Sequence, residues 1–134
     1  MPNSVKESMM PDYKYLIAGG GMTAAAAVKG IRGVDASGSI GLLCAEKDAP
    51  YKRPPLSKGL WKGKPVDGIW LQTEKKGATL HLGRAARQLD IANQRVTDDQ
   101  GATYGYQKLL LATGGSPRRL MFGGEEILYY RTFG

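Results

Sequence analysis

The sequence predicts an α/β fold: a strand, glycine turn, helix and strand that form a parallel βαβ unit, followed by an antiparallel β-meander. Three observations predict it. Tyr13–Ala18 is a short apolar run stopped by Gly19-Gly20-Gly21. Residues 22–32 carry Ala24, Ala25, Ala27, Val28 and Ile31, a small-residue face that lets a helix lie close to a sheet. From Thr79 onward the pattern changes to period two, with turn residues at short intervals.

Taken in order, Tyr13–Ala18 reads as a buried strand, Met22–Arg32 as a helix and Ser39–Ala45 as a second apolar strand. Strand, helix and strand within about 30 residues make the two strands parallel, because the helix carries the chain back across the sheet. Pro50, Pro54 and Pro55 break regularity, and Leu56–Lys62 reads as a short helix with prolines at its start. Residues 64–77 read as irregular. Arg84–Ile91, Arg95–Asp98 and Thr103–Tyr106 read as the meander strands, divided by Ala92-Asn93-Gln94 and Asp99-Gln100-Gly101. Lys108–Ala112 is a further apolar strand ending at Thr113-Gly114-Gly115, expected in the same core as Tyr13–Ala18, and Ile127–Tyr130 has strand character.

The chain has 134 residues, 42% of them apolar and 23% charged, which suits one globular domain. Its 19 glycines are about twice the usual share, and point to tight turns or to backbone that approaches a ligand closely. The net charge is +7, and Lys47, Lys52, Arg53, Lys58, Lys62 and Lys64 cluster in one stretch. Such a cluster suits a phosphate-bearing ligand, an acidic protein or nucleic acid, or is simply a solvated surface. Cys44 is the only cysteine, so a disulfide or redox dithiol within these residues is excluded. Its place in an apolar strand makes it a small core residue. No apolar run reaches the ~18 residues of a membrane span, and residues 1–12 lack an apolar signal segment. These features predict a cytoplasmic chain with a disordered leader at 1–12. The only histidine, His81, has no cysteine or carboxylate cluster around it in sequence, so we expect a structural role and no metal site. Trp61 and Trp70 are expected in packing roles.

Gly19-x-Gly21-x-x-Ala24 lies between strand and helix, where a dinucleotide fingerprint belongs. The first glycine makes the tight turn, the second leaves room for a pyrophosphate, and the third small residue lets helix and strand pack. The helix N-terminus then offers free N–H groups to the phosphates. Glu46 ends the second strand, 27 residues after Gly19, and suits a ribose hydroxyl. An acid there disfavours a 2′-phosphate. Together these residues indicate an adenine dinucleotide without saying which.

The segment Tyr51-Lys-Arg53-Pro-Pro-Leu-Ser-Lys58-Gly-Leu-Trp61 resembles the signature of FAD-dependent ferredoxin, rubredoxin and putidaredoxin reductases and of apoptosis-inducing factor. Leu111-Ala112-Thr113-Gly114-Gly115-Ser-Pro-Arg118 resembles that family's second FAD motif. The resemblance implies that residues 13–134 are the N-terminal portion of a Rossmann-like FAD-binding domain. By that measure the domain is incomplete, and the NADH-binding domain, with its second glycine fingerprint, is absent. It implies a flavoprotein oxidoreductase that takes hydride from NAD(P)H and passes electrons to a small, acidic acceptor protein. The alternative is a non-catalytic module, like apoptosis-inducing factor, that binds a nucleotide or nucleic acid. Carried over by position, Gly19, Gly20, Gly21 and Thr23 line the pyrophosphate, Glu46 holds the adenosine ribose, and Ala86 meets adenine through its backbone. Arg53 contacts the phosphate side, Lys58 reaches the isoalloxazine ring as the catalytic cation, and Thr113, Gly114 and Arg118 close over the cofactor.

Overall fold

The computed structural model describes residues 11–134. Residues 1–10 of the expected leader lie outside the described residues, and Asp12 already opens the first strand. Six strands form one sheet: β1 (Asp12–Ala18), β2 (Ile40–Cys44), β3 (Ala78–Leu82), β4 (Ala86–Asp90), β5 (Arg95–Asp98) and β6 (Thr103–Leu111). Their order is β3-β2-β1-β6-β5-β4. β1 runs parallel to β2 and β6, and β2 parallel to β3. β4, β5 and β6 are antiparallel neighbours. The α/β class, the parallel unit and the meander are as the sequence implies.

The one α-helix among the described residues, α1 (Met22–Val34), joins β1 to β2. Ala24 and Val28 on it are fully buried against Ile17, Ile40, Leu42 and Cys44, with Ala27 and Ile31 flanking. Alanines at these positions hold helix and sheet at close range, as the small-residue face requires. The last turn is tied down by Arg32. Its guanidinium donates to the carbonyls of Asp35 and Gly38 on one side and of Lys76 on the other. The Asp35 carboxylate then fixes the return to β2, accepting from Lys14 Nζ, the Tyr15 hydroxyl and the Gly38 N–H. Those same bonds hold its pKa well below the ordinary carboxylate range.

The second face of the sheet is closed by the meander. Leu16 and Leu43 pack with Val96 and Tyr104. The Asp98 carboxylate is buried there and accepts from the Gln100 and Ala102 N–H groups, the Tyr104 hydroxyl and Arg84. A third small cluster, Tyr51, Leu56 and Ile69, with Leu60 and Trp70 against it, organises the loop region. Trp70 is thus a packing residue, as expected, while Trp61 is exposed.

Several elements differ from expectation. Thr103–Tyr106 and Lys108–Ala112 are one continuous strand, because β6 pairs with β5 from Thr103 to Gly105 and with β1 from Gly105 to Leu111. Leu56–Lys62 is two 3₁₀ turns, Pro54–Ser57 and Leu60–Lys62, parted at Lys58 and Gly59. Residues 64–77 hold two more, Val66–Ile69 and Thr73–Lys76. Ala78–Leu82 is not part of the meander but a parallel edge strand on β2. Residues 127–130 are not a strand, since no neighbouring strand offers them backbone partners.

Candidate functional site: a nucleotide-sized cavity at the strand ends

The strand order sets where a ligand can sit. From β1 the chain leaves through α1 to β2 on one side, and β6 lies against the other side of β1. Such a switch point leaves a crevice beyond the carboxyl ends of the parallel strands, where open α/β sheets bind ligands. A cavity of about 570 Å³ lies there. It is lined by Gly19–Thr23 after β1, Leu43–Glu46 at the end of β2, Ala112–Gly114 after β6, Ala85–Arg87 at the start of β4, and by Arg53, Ser116 and Arg131.

The three glycines differ in what they make possible. Gly19 has φ +144°, and a Cβ on it would stand 2.0 Å from the Ala112 carbonyl oxygen. It is the residue that lets β1 turn against the end of β6. A Cβ on Gly20 would meet the Cys44 side chain at 2.6 Å, so this glycine lets the turn lie on β2. A Cβ on Gly21 would meet nothing within 4 Å. Gly21 is also the N-cap of α1, with no side-chain cap and no acidic residue in the first turn. The first N–H groups of a helix have no partner within it, so this end is free to receive an anion. Open space beside a glycine and an uncapped helix start fit a pyrophosphate.

At the other end of the cavity, Glu46 anchors a compact network. Arg53 Nη2 donates to its Oε1 at 2.5 Å, and the Tyr51 hydroxyl donates to its Oε2 at 2.6 Å. Arg53 Nη1 donates to the Tyr51 oxygen (3.1 Å) and to the Arg131 carbonyl (2.8 Å). The Phe133 N–H also donates to the Tyr51 oxygen, at 2.9 Å. Burial, and the bond to the Glu46 carboxylate, hold the Tyr51 phenol above its ordinary pKa. Arg131 completes the wall, its Nε bonded to the Gly115 carbonyl. Cys44 lines the cavity floor, and burial together with the negative charge of Glu46 pushes its thiol up to about 11, so it stays protonated and unreactive near neutrality.

Of the residues the sequence singled out, Gly19, Gly20, Gly21, Thr23, Glu46, Arg53, Ala86, Thr113 and Gly114 all line this one cavity. Lys58 and Arg118 do not: both are exposed and lie outside its lining. Glu46 and Arg53, read separately as ribose and phosphate partners, are ion-paired with each other. His81 is held in packing contact, its Nε2 2.7 Å from the Tyr13 hydroxyl and its ring against Tyr104. No cluster of metal-ligating side chains occurs among the described residues, and no helix there is long and apolar enough to cross a membrane. Sequence reasoning missed Arg131 and gave Tyr51 no role of its own. Arg131 follows 16 residues after Gly115 in a stretch without regular structure, so nothing local marks it. Tyr51 lay inside a recognised segment, and its spacing of five from Glu46 was the available signal.

Known proteins bear on the same cavity. The chain is 38% identical over 120 residues to the ferredoxin reductase subunit of a 5,5′-dehydrodivanillate O-demethylase from Sphingobium sp., covering 86% of this chain and 29% of that protein. It is 33% identical over 117 residues to a rubredoxin-NAD(+) reductase of Pseudomonas putida, covering 84% of this chain and 30% of that one. Among solved structures, a ferredoxin reductase from Rhodopseudomonas palustris superposes with a TM-score of 0.78 at 28% identity, over 88% of this chain and 31% of the other. The chain thus spans about 30% of the length of the curated relatives it matches. The glycine turn, the strand-end carboxylate and the Ala-Thr-Gly turn that meet in the cavity all fall within residues 13–133, the stretch matched by the family model for pyridine nucleotide-disulphide oxidoreductases, and it is to that family that this chain belongs.

Proposed function

We propose that the cavity receives the adenosine diphosphate half of FAD, and that the whole protein takes hydride from NAD(P)H and passes electrons to a small acceptor protein such as a ferredoxin or rubredoxin. The observation that carries this reading is the pairing, across one cavity, of an uncapped helix start beside an open Gly21 with the Glu46 carboxylate. Gly20, Gly21 and Thr23 take the pyrophosphate on backbone N–H groups, while Gly19, its N–H held by the Leu43 carbonyl, makes the turn beneath it, and Glu46 takes the adenosine ribose. The Ala86 backbone meets adenine, a role supported by its place in the cavity lining, and Thr113 and Gly114, which line it too, close over the cofactor. Arg53 adds positive charge near the phosphates while holding Glu46. Lys58 and Arg118, outside the cavity, serve the flavin end. When bound, FAD supplies a carrier that accepts a hydride and releases electrons singly. The chain's own residues bind, orient and neutralise charge.

Relatives named as ferredoxin and rubredoxin reductases support the choice of acceptor, as does the likeness to a putidaredoxin reductase solved in covalent complex with putidaredoxin. The test is direct. Heat-released small molecules from the whole protein, compared with standards, are expected to include FAD. Recovery of NAD without flavin refutes the reading. Salt-sensitive retention on DNA without flavin would favour the nucleic-acid alternative, which draws on the +7 charge and on 32% identity to an apoptosis-inducing factor of Dictyostelium discoideum.

A further inference from the structure

Tyr51 does not line the cavity, yet its hydroxyl joins the parts that do. The side chain is buried, 3% exposed, with its ring against Trp70 and Phe133. A phenol has one proton to donate and two lone pairs to accept with. Here both lone pairs are taken, by Arg53 Nη1 and the Phe133 N–H, and the proton goes to Glu46 Oε2. The hydroxyl is therefore saturated and its direction is fixed. Rotating it away from Glu46 would aim its proton at two other donors.

The consequence falls on Glu46. A carboxylate accepts about four hydrogen bonds. Two are in place, one on each oxygen, from Arg53 and from Tyr51. The capacity left is two, the number that a vicinal ribose diol donates. We infer that Tyr51 is a positioning residue, which holds the Glu46 carboxylate in the orientation that reads the two ribose hydroxyls of an adenosine nucleotide. The inference rests on Glu46 being the ribose partner, as proposed above. Tyr51 touches no ligand itself; it acts through Glu46.

The experiment measures calorimetric binding of ADP and of 2′,3′-dideoxy-ADP to the purified chain. ADP carries all the groups that these residues would contact and needs no flavin end. The chain is expected to prefer ADP by at least about tenfold, since the dideoxy nucleotide forgoes both hydrogen bonds to the charged group and each is worth about that much. In Tyr51→Phe the ring packing is kept and the preference falls to about twofold, with affinity for the dideoxy nucleotide little changed. Glu46→Gln loses the preference equally, and the double variant loses no more. If Tyr51→Phe weakens both nucleotides equally and keeps the tenfold ratio, the hydroxyl only braces residues 131–133 and the inference falls alone. A chain that binds both nucleotides with equal affinity removes the ribose role of Glu46, and the inference with it. A chain that binds neither overturns the proposed cavity itself.

Discussion

The same substitution made two residues apart should give opposite results. In Gly19→Ala the new methyl would stand 2.0 Å from the Ala112 carbonyl oxygen, where ordinary contact begins at 3.4 Å. The turn must therefore move about 1.4 Å away from β6. That movement breaks the bond from Ala112 N–H to the Ala18 carbonyl (2.8 Å) and strains the one from Gly19 N–H to the Leu43 carbonyl (2.9 Å). Two backbone bonds at about 1 kcal/mol each, with about 1–3 kcal/mol for a positive φ in a residue bearing a Cβ, give a loss of about 3–5 kcal/mol. A domain of this size is stable by only about 5–15 kcal/mol. In urea the midpoint should fall by about 2 M, for a slope near 2 kcal/mol/M. Gly21→Ala puts its methyl into open space, so the midpoint should hold. The methyl instead occupies the room left for a pyrophosphate, and ADP affinity should fall by at least about tenfold, a cost of about 1.4 kcal/mol. Urea unfolding followed by far-UV circular dichroism, with calorimetric ADP binding, reads both effects. A Gly19→Ala midpoint within about 0.3 M of the parent would refute the account of the turn. Unchanged ADP binding in Gly21→Ala would refute the account of the cavity.

Burial pushes the Asp98 carboxyl up, but the Gln100 N–H, the Tyr104 hydroxyl, the Ala102 N–H and Arg84 together outweigh it and hold the group below the ordinary range. The unfolded chain therefore takes up this proton first, so the stability Asp98 confers is full above about pH 5 and is lost on acidification; Asp98→Asn should flatten that acid limb and lower stability by about 2 kcal/mol, read from urea midpoints across pH. Burial and then the nearby Arg84 hold His81 below its ordinary pKa, against the pull of Asp98, so stability should begin to fall as pH drops through about 6.5, where the unfolded histidine protonates. An NMR titration placing His81 above 6.5 would contradict this. In the whole protein, Arg53→Met should strip FAD by releasing Glu46, Tyr51 and the Arg131 carbonyl together. Lys58→Met should leave FAD content unchanged and lower the flavin potential, because a cation near the ring stabilises the reduced anion; flavin-to-protein ratios and anaerobic titration separate the two.

What could be read from the chain followed how local each signal was. The small-residue face of 22–32 and the glycines after β1 act on their immediate neighbours, and both are found where expected. Gln107 looked like a break because a polar residue interrupts the run, yet pairing with β5 up to Gly105 and with β1 from Gly105 onward carries β6 straight through. Ala78–Leu82 alternates because it is an edge strand with only Ala78 buried, and alternation does not tell a parallel edge from a meander. Ile127–Tyr130 shows the reverse: apolar composition without a partner strand gives no strand. In the site, glycines and strand ends declared themselves through motif spacing. The Arg53 contact with Arg131 joins residues 78 apart and belongs to tertiary structure alone.

The position of β6 has a consequence for how the chain reaches this structure. Its partner β1 lies about ninety residues earlier, and the two pair from Asp12 with Gly105 to Ala18 with Leu111. The β1–α1–β2 unit closes over a short loop and can form early, whereas the β1–β6 pairing must await a long loop closure, the kind of contact that slows folding. During synthesis β1 emerges about ninety residues before β6. Until then the apolar edge at Leu16–Ala18 is open to wrong partners, so a nascent or truncated chain lacking β6 carries the aggregation hazard of an unpaired strand at the centre of its future sheet.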